Sequence, residues 1–305
     1  MTTDISSDRD RSLGCLVGLA VGDAVGAPVE FRPRGTFKPL TDMIGGGQFC
    51  LKKGYWTDDT SMALCLAHSL TEHQAFNLKD QIERYCAWMD SGYMSSLNIC
   101  FDVGASVSSA LRRYQKTGDP LSGSKAGWCS GNGSIMRLAP IPIFYQQKPR
   151  EAIFYGGESS KTTHRSALCV DACRYLSSYL VELLHGEKKT VFMTLDYQPE
   201  TQEFISIKSG HFLNKRYQDL TGSGFVVDSL ESALWCFIYT DSYESCVLAA
   251  ANLGNDADTT AAIAGQMAGA YYGYSGIRQD WLDALFQHDE IVKVADSLYL
   301  ASGSM

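Results

Sequence analysis

The stretch DRSLGCLVGLAVGDAVGAPV, residues 10–29, sets glycines at 14, 18, 22 and 26, one helical turn apart. Apolar side chains fill most positions between them. The segment therefore reads as a buried helix whose glycine stripe lets another helix approach closely, at some cost in helix propensity. A matching stripe stands near the other end of the chain, where Ala261, Gly265 and Gly269 line one side of Thr259–Tyr272. Similar stripes drive helix association in membranes. Here Asp23 interrupts the first, acidic residues lie just before the second, and the apolar run Leu13–Ala27 is short for a bilayer. A secretory signal is the alternative reading of this run, but Asp4, Asp8 and Asp10 stand where a basic n-region belongs. The two stripes predict two central helices packed together inside a soluble, cytoplasmic protein.

Working outward, apolar spacing at three and four residues predicts helices over Thr60–Thr71, Leu78–Ser91, Val103–Thr117, Arg165–Leu184, Ser229–Tyr239 and Tyr243–Asn252. One or two more are expected within Asp280–Ala301. No stretch alternates long enough, between turn signals, to read as a strand. Residues 192–207 contain β-branched side chains, but their polarity fits a surface excursion better. No internal repeat and no linker rich in Pro, Ser or Gly divides the chain. The expected fold is all-α: one compact, orthogonal multi-helix domain over residues 1–305, with its core at about 10–273 and a binuclear metal centre. Long loops fall at Phe31–Trp56, Gly118–Gly133 and Gly210–Gly224, and long loops in a helical domain are often functional.

Of 305 residues 45% are hydrophobic, enough for a sizeable core, and the net charge is −8. An acidic surface argues against broad nucleic-acid binding, which rests on a basic face. A phosphate-bearing ligand must then be held by local donors or metals. The ten cysteines form no C-x-x-C pair and several fall inside apolar helical patterns, so they read as reduced, mostly buried thiols. Cys169 and Cys173 lie one turn apart, but without His or Cys partners they read as core rather than zinc ligands.

Two clusters carry the chemistry. Thr57-Asp58-Asp59-Thr60 stands where a glycine-bearing loop gives way to an apolar helix, and Asn255-Asp256-Ala257-Asp258-Thr259-Thr260 stands just before the second small-residue helix. Either could be a simple helix cap. A cap needs one oxygen, however, and each cluster offers two carboxylates and a hydroxyl. Carboxylates crowded inside a protein repel one another unless a cation lies among them. Hard oxygen donors without His or Cys favour Mg²⁺, Mn²⁺ or Ca²⁺ over Zn²⁺. The Asp256-x-Asp258 spacing resembles the start of an EF-hand loop, but Ala261 and Met267 stand where its Gly and Glu belong. If the clusters meet in space they make a two-metal centre. A glycine-rich segment, Gly131-Asn132-Gly133-Ser134-Ile135-Met136-Arg137, can expose successive backbone N–H groups to a diphosphate. Gly222-Ser223-Gly224-Phe225 offers a second turn, with an aromatic ring for a base or ribose.

Gly22-Asp23-Ala24-x-Gly26, Thr57-Asp58-Asp59-Thr60, Gly131-Asn132-Gly133-Ser134-x-Met136-Arg137 and Asn255-Asp256-x-Asp258-Thr259 resemble, in this order, the motifs of the ADP-ribosylglycohydrolase family. The resemblance runs from about Asp10 to about Gly273. It implies an all-helical fold, two Mg²⁺ (or Mn²⁺) ions, and cleavage of the bond between ADP-ribose and a protein side chain. By the same resemblance Thr57, Asp58, Asp59, Asp256, Asp258 and Thr259 are the metal ligands, Ser130–Ser134 is the phosphate loop, and His164 lines the ADP-ribose cleft. Glu30 resembles a carboxylate placed over the metals. Asp102 resembles the aspartate that faces the guanidinium in members acting on ADP-ribosyl-arginine, a role suited to a carboxylate's paired hydrogen bonds. These readings imply an ADP-ribosylated protein as substrate, ADP-ribose as product, and Asp59, Asp102 or Glu30 as acid or base. A monomer without nucleic-acid or membrane partners is expected. The rival readings are hydrolysis of ADP-ribosyl-serine or another O-linked ADP-ribose, and a non-catalytic ADP-ribose-binding module. Retention of all six ligand positions argues against a purely structural role. Residues 188–222 carry no motif and are expected to form an insertion over the cleft.

Overall fold

The computed structural model describes residues 6–303. Its first helix, α1 (Ser6–Gly26), runs into a short 3₁₀ turn over Ala27–Val29. After the long loop come α2 (Asp58–His73), α3 (Leu78–Ser91) and α4 (Ala105–Thr117). The glycine-rich segment leads to α5 (Pro140–Phe144), α6 (Pro149–Ser160) and α7 (Ala167–Leu184). The chain closes with α8 (Gln202–Lys208), α9 (Val226–Ile238), α10 (Tyr243–Ala251), α11 (Ala257–Tyr272), α12 (Gln279–Ala284) and α13 (His288–Ser302). Among the described residues only isolated β-bridges occur, so the fold is all-helical and forms one compact domain.

The glycine stripes do what their spacing predicts. Helices α1 and α11 form the most extensive helix–helix contact in the molecule, and they run antiparallel. Gly14 lies on the backbone of Gly269, Gly18 on Gly265, Gly22 on Ala261 and Gly26 on Asp258. A methyl group at Gly22 would fall on the Ala261 carbonyl. Contact this close aligns the C-terminal end of α1 with the N-terminal end of α11. Asp23 and Asp258 are thereby brought to the same end of the pair.

One reason given against a membrane span needs correction. The helical run extends past Leu13–Ala27, and Asp8–Val29 is long and apolar enough to cross a bilayer by length and composition. What marks it as a core helix here is that the whole window is buried inside the protein.

Three helices escaped the periodicity. Helix α5 carries Pro140 and Pro142, and α6 carries Gly156 and Gly157, residues that normally end helices. In α6 Gly156 lets that helix press against Ser177 of α7. Helix α8 lies in the polar excursion. That excursion does not cover the cleft as expected: Phe192, Leu195, Phe204, Phe212 and Leu220 are buried in the core, and no residue of 188–222 lines the cavity described below. Asp171 of α7 ties it down, accepting from the Tyr197 hydroxyl at 2.7 Å, the Glu200 amide at 3.0 Å, and the Thr201 amide and hydroxyl at 2.7 and 2.6 Å. All ten cysteines are free thiols, and Cys169 and Cys173 are both buried in α7.

Candidate metal centre and ligand cleft

Helix α2 begins at the end of the α1–α11 pair. Its N-cap, Thr57, makes no capping bond with its own side chain. Asp23 supplies the cap from α1: one oxygen accepts the Thr57 amide and hydroxyl, each at 2.9 Å, and the other accepts the Thr60 amide at 3.0 Å and hydroxyl at 2.6 Å. A helix start leaves amide donors free, and a carboxylate is favoured there by both hydrogen bonding and the helix dipole. The Gly22-Asp23-Ala24 motif was visible in the sequence, but this role was not, because its partners lie 34 and 37 residues away.

With α2 fixed, the two acidic clusters meet. The Thr57 hydroxyl lies 3.2 Å from Asp258 Oδ2 and 3.4 Å from Asp59 Oδ2, and the Thr259 hydroxyl donates to Asp59 Oδ2 at 3.3 Å. Asn132, from the glycine-rich segment, donates to Asp256 Oδ2 at 2.6 Å and to the Ser229 hydroxyl at 2.8 Å. Oxygens of Glu30, Asp256 and Asp258 lie within 4.8 Å of one another. Burial pushes the carboxyls of Asp58, Asp59 and Asp258 well above the usual carboxylate range, and neighbouring negative charges add to the effect. Glu30 is raised for the same two reasons. Asp102 is pushed up to about 7 by burial, although a hydrogen bond with Glu30 opposes the shift.

The donor set fits a hard divalent cation. Glu30 Oε2, Asp59 Oδ1 and Asp258 Oδ1 are buried without a hydrogen-bond partner, a costly state for carboxylate oxygens that a cation would relieve. No His or Cys stands in the cluster, which favours Mg²⁺ or Mn²⁺ chemistry over Zn²⁺.

The cluster floors one end of a cavity of about 250 Å³. Glu30, Asp58, Asp102, Asp256, Asp258 and Thr259 line it, together with Gly131, Asn132, Gly133 and His164. Thr57 and Asp59 are wholly buried behind this floor. Asp59 does not reach the cavity, whereas Glu30 and Asp102 border it directly. The amide of Asn132 donates to Gly224 O at 3.0 Å, and those of Ile135 and Met136 donate to Asn132 O at 3.0 and 3.2 Å. Among the described residues the amide of Gly133, which lines the cavity, makes no hydrogen bond, so it remains available to a ligand.

Other residues of the expected site stand elsewhere. Ser130 is buried with its hydroxyl on Gly127 O and Ser166 Oγ, and Ser134 is buried as well. Gly222, Ser223 and Gly224 do not line the cavity as substrate contacts. They brace it: Gly222 O accepts the Asp256 amide at 2.8 Å, Gly224 O accepts that of Asn132, and Ser223 O accepts the Ser229 hydroxyl at 2.7 Å. Phe225, bridged to Gly131, presents a half-exposed ring beside them. Arg137, the last residue of the glycine-rich motif, is wholly buried and reaches no ligand space.

Backbone conformation adds one signal that the sequence did not carry. Phe31 and Asp102 both adopt positive φ, at 59° and 56°. A left-handed backbone is uncommon for such residues and collects at functional sites. Here it belongs to the residue after Glu30 and to Asp102 itself. The Phe31 amide is held by Asn255 O at 2.6 Å, which ties the Glu30 segment to the second acidic cluster.

The model of the family "ADP-ribosylglycohydrolase" matches residues 4–304. The "ADP-ribosylarginine hydrolase Tri1" of Serratia proteamaculans is 38% identical over 294 residues, covering 96% of this chain and 80% of the relative. The "ADP-ribosyl-[dinitrogen reductase] glycohydrolase" of Rhodospirillum rubrum is 32% identical over 303 residues, covering 97% and 98%. A solved structure described as an "ADP-ribosylglycohydrolase-related protein complex" superposes with a TM-score of 0.86 at 38% identity, covering 98% of this chain and all of that one.

Proposed function

Because this chain belongs to the ADP-ribosylglycohydrolase family and is an enzyme of that kind, we propose that it removes ADP-ribose from arginine side chains of modified proteins with the help of two Mg²⁺ or Mn²⁺ ions. The observation that carries this reading is the arrangement of one cleft. Carboxylates with orphaned oxygens and the free Gly133 backbone amide border the same cavity.

Thr57, Asp58, Asp59, Asp256, Asp258 and Thr259 would hold the cations, with Glu30 within reach of Asp256 and Asp258. When bound, the ions would orient the distal ribose hydroxyls and make an attacking water more acidic. The chain's own residues supply the rest. The Gly133 amide donates to the diphosphate and helps to fix the ligand's direction. Asn132 holds Asp256 in place from the same loop. Asp102 faces the leaving guanidinium, where a carboxylate can take paired N–H donors. Glu30 and Asp102 border the cleft and are the candidates to move a proton as the glycosidic bond breaks toward an oxocarbenium-like state. Buried Asp59 holds its neighbours and moves no proton in the cleft.

An ADP-ribosyl-arginine peptide and a matched serine peptide, each with Mg²⁺ and with EDTA, test the proposal. Release of ADP-ribose from the arginine peptide, abolished by EDTA, is expected. Release from serine alone would remove the role given to Asp102. Release that survives EDTA would remove the metals. Binding of ADP-ribose without release from either peptide would favour a recognition module.

A further inference from the structure

Arg137 is wholly buried, and its contacts are all uncharged. Its guanidinium carbon stands 4.5 Å from the Tyr85 ring centre. Its nitrogens donate to the Thr163 hydroxyl at 2.7 Å and the Thr162 hydroxyl at 3.2 Å, and approach the Met62 sulfur at 3.6 Å. A guanidinium has donors only, so Thr163 Oγ1 must accept from it. The hydroxyl's single proton has one other polar neighbour, His164 Nδ1, at 2.9 Å; donating there gives the buried O–H an acceptor, whereas a protonated Nδ1 would leave it with none. A ring nitrogen that accepts carries no proton, so in a neutral imidazole the proton sits on Nε2. The ring is neutral: burial and the positive Arg137 lower its pKa to about 3.

The Nε2 edge of the ring faces the glycine-rich segment. A β-carbon at Gly131 or at Gly133 would stand 3.3 Å from Nε2. Among the described residues nothing accepts a hydrogen bond from Nε2, and the ring borders the cleft beside the free Gly133 amide. The backbone on either side is pinned, with the His164 amide on Ser160 O at 2.7 Å and the Ser160 hydroxyl on His164 O at 2.7 Å.

We propose that Arg137 and Thr163 form a relay that fixes His164 as the Nε2–H tautomer, a neutral donor aimed at an oxygen of the ligand's diphosphate. The identity of that ligand rests on the function proposed above. His164 touches the ligand; Thr163 and Arg137 are positioning residues that act through it. The arrangement explains why a cation is buried behind a loop that it never reaches. A group that can only donate dictates the proton's place two residues away, as an outer partner does for a ligating histidine.

The ring nitrogens of the ¹⁵N-labelled full chain with Mg²⁺, read by long-range ¹H–¹⁵N NMR, test the relay directly, with His164 identified by the signal lost in His164→Gln. A pyrrole-type Nε2 and a pyridine-type Nδ1 are expected. Thr163→Val should abolish that pattern and weaken ADP-ribose binding, followed by calorimetry, about tenfold. Thr163→Ser, which keeps the hydroxyl, should retain both. A protonated Nδ1 in the unaltered protein would overturn the relay whatever the variants do. So would a Thr163→Val protein with unchanged ring signals and unchanged affinity. Expected ring signals in an unaltered protein that fails to bind ADP-ribose would instead sink the ligand reading, and the donor's role with it.

Discussion

Asp258 is almost fully buried among Asp58, Asp59, Asp256 and Glu30, and one of its oxygens has no partner. Its replacement should therefore affect catalysis and folding in opposite directions. In Asp258→Asn, kcat should fall by at least about a hundredfold, beyond the 10–100-fold typical of losing an outer-shell partner. In EDTA its Tm should rise, because one of several repelling charges is gone. A fall in both would mark Asp258 as structural. The pH dependence follows from the same crowding. The folded-state carboxyls are raised, Asp23 to about 6 and Asp102 to about 7, from an ordinary 3.8. Folding thus favours their protonated forms, and this stabilisation is complete below about pH 4 and lost as pH rises through 6 to 7. Denaturant titrations in EDTA should show stability declining across that window, and saturating Mg²⁺ should remove most of the decline by adding binding energy to the native state. The acidic clusters were legible as sites because a single cap explains neither of two consecutive carboxylate-hydroxyl runs. Asp23, Thr163 and Arg137 were not legible as functional, since their meaning lies in partners far along the chain or inside the core.

Among the elements, the α1–α11 pair sets the geometry of the centre, and its tolerance is small. Gly18→Ala would drive a methyl into the backbone of Gly265 and the Tyr243 ring, whose hydroxyl donates to Gly18 O at 2.6 Å. Overpacking of this kind costs about 1–3 kcal/mol, readable as a lower urea midpoint. Because the shift spreads the two helices that carry Asp23 and Asp258, Mg²⁺ affinity should fall as well, although Gly18 touches neither residue. Unchanged affinity in a folded Gly18→Ala protein would mean that the pair is not what holds the centre. The elements themselves were readable wherever apolar residues kept helical period, and α3 matches its expected range to the residue. Periodicity failed at α5 and α6 because prolines and paired glycines signal breaks unless tertiary contacts override them. Nor does periodicity show that the carbonyls of Gly222 and Gly224 hold the backbone of Asp256 and Asn132.

At the scale of the whole molecule, the excursion over residues 188–222 is a buttress anchored through Asp171, away from the cleft. Asp171→Ala should lower stability by about 1–3 kcal/mol, as two part-buried amides and two hydroxyls lose their acceptor. It should also speed proteolysis within that segment, while kcat/KM on an ADP-ribosylated peptide stays within about twofold. A large loss of turnover would return the excursion to the active site. The single helical domain was legible from the two glycine stripes alone. The division between cleft and buttress was not, since it depends on which side chains the finished core absorbs. The same stripes also carry a consequence in time. In the growing chain, residues 6–26 are made about 230 residues, roughly 10–50 s at ordinary translation rates, before their partner, residues 257–272. Early in that interval Asp23 can already cap α2, whose start follows 34 residues on, but the glycine-notched face of α1 still lacks the helix it packs on most closely. On the proposed function Asp256, Asp258 and Thr259 are also still unmade, so the metal site is completed only when α11 emerges.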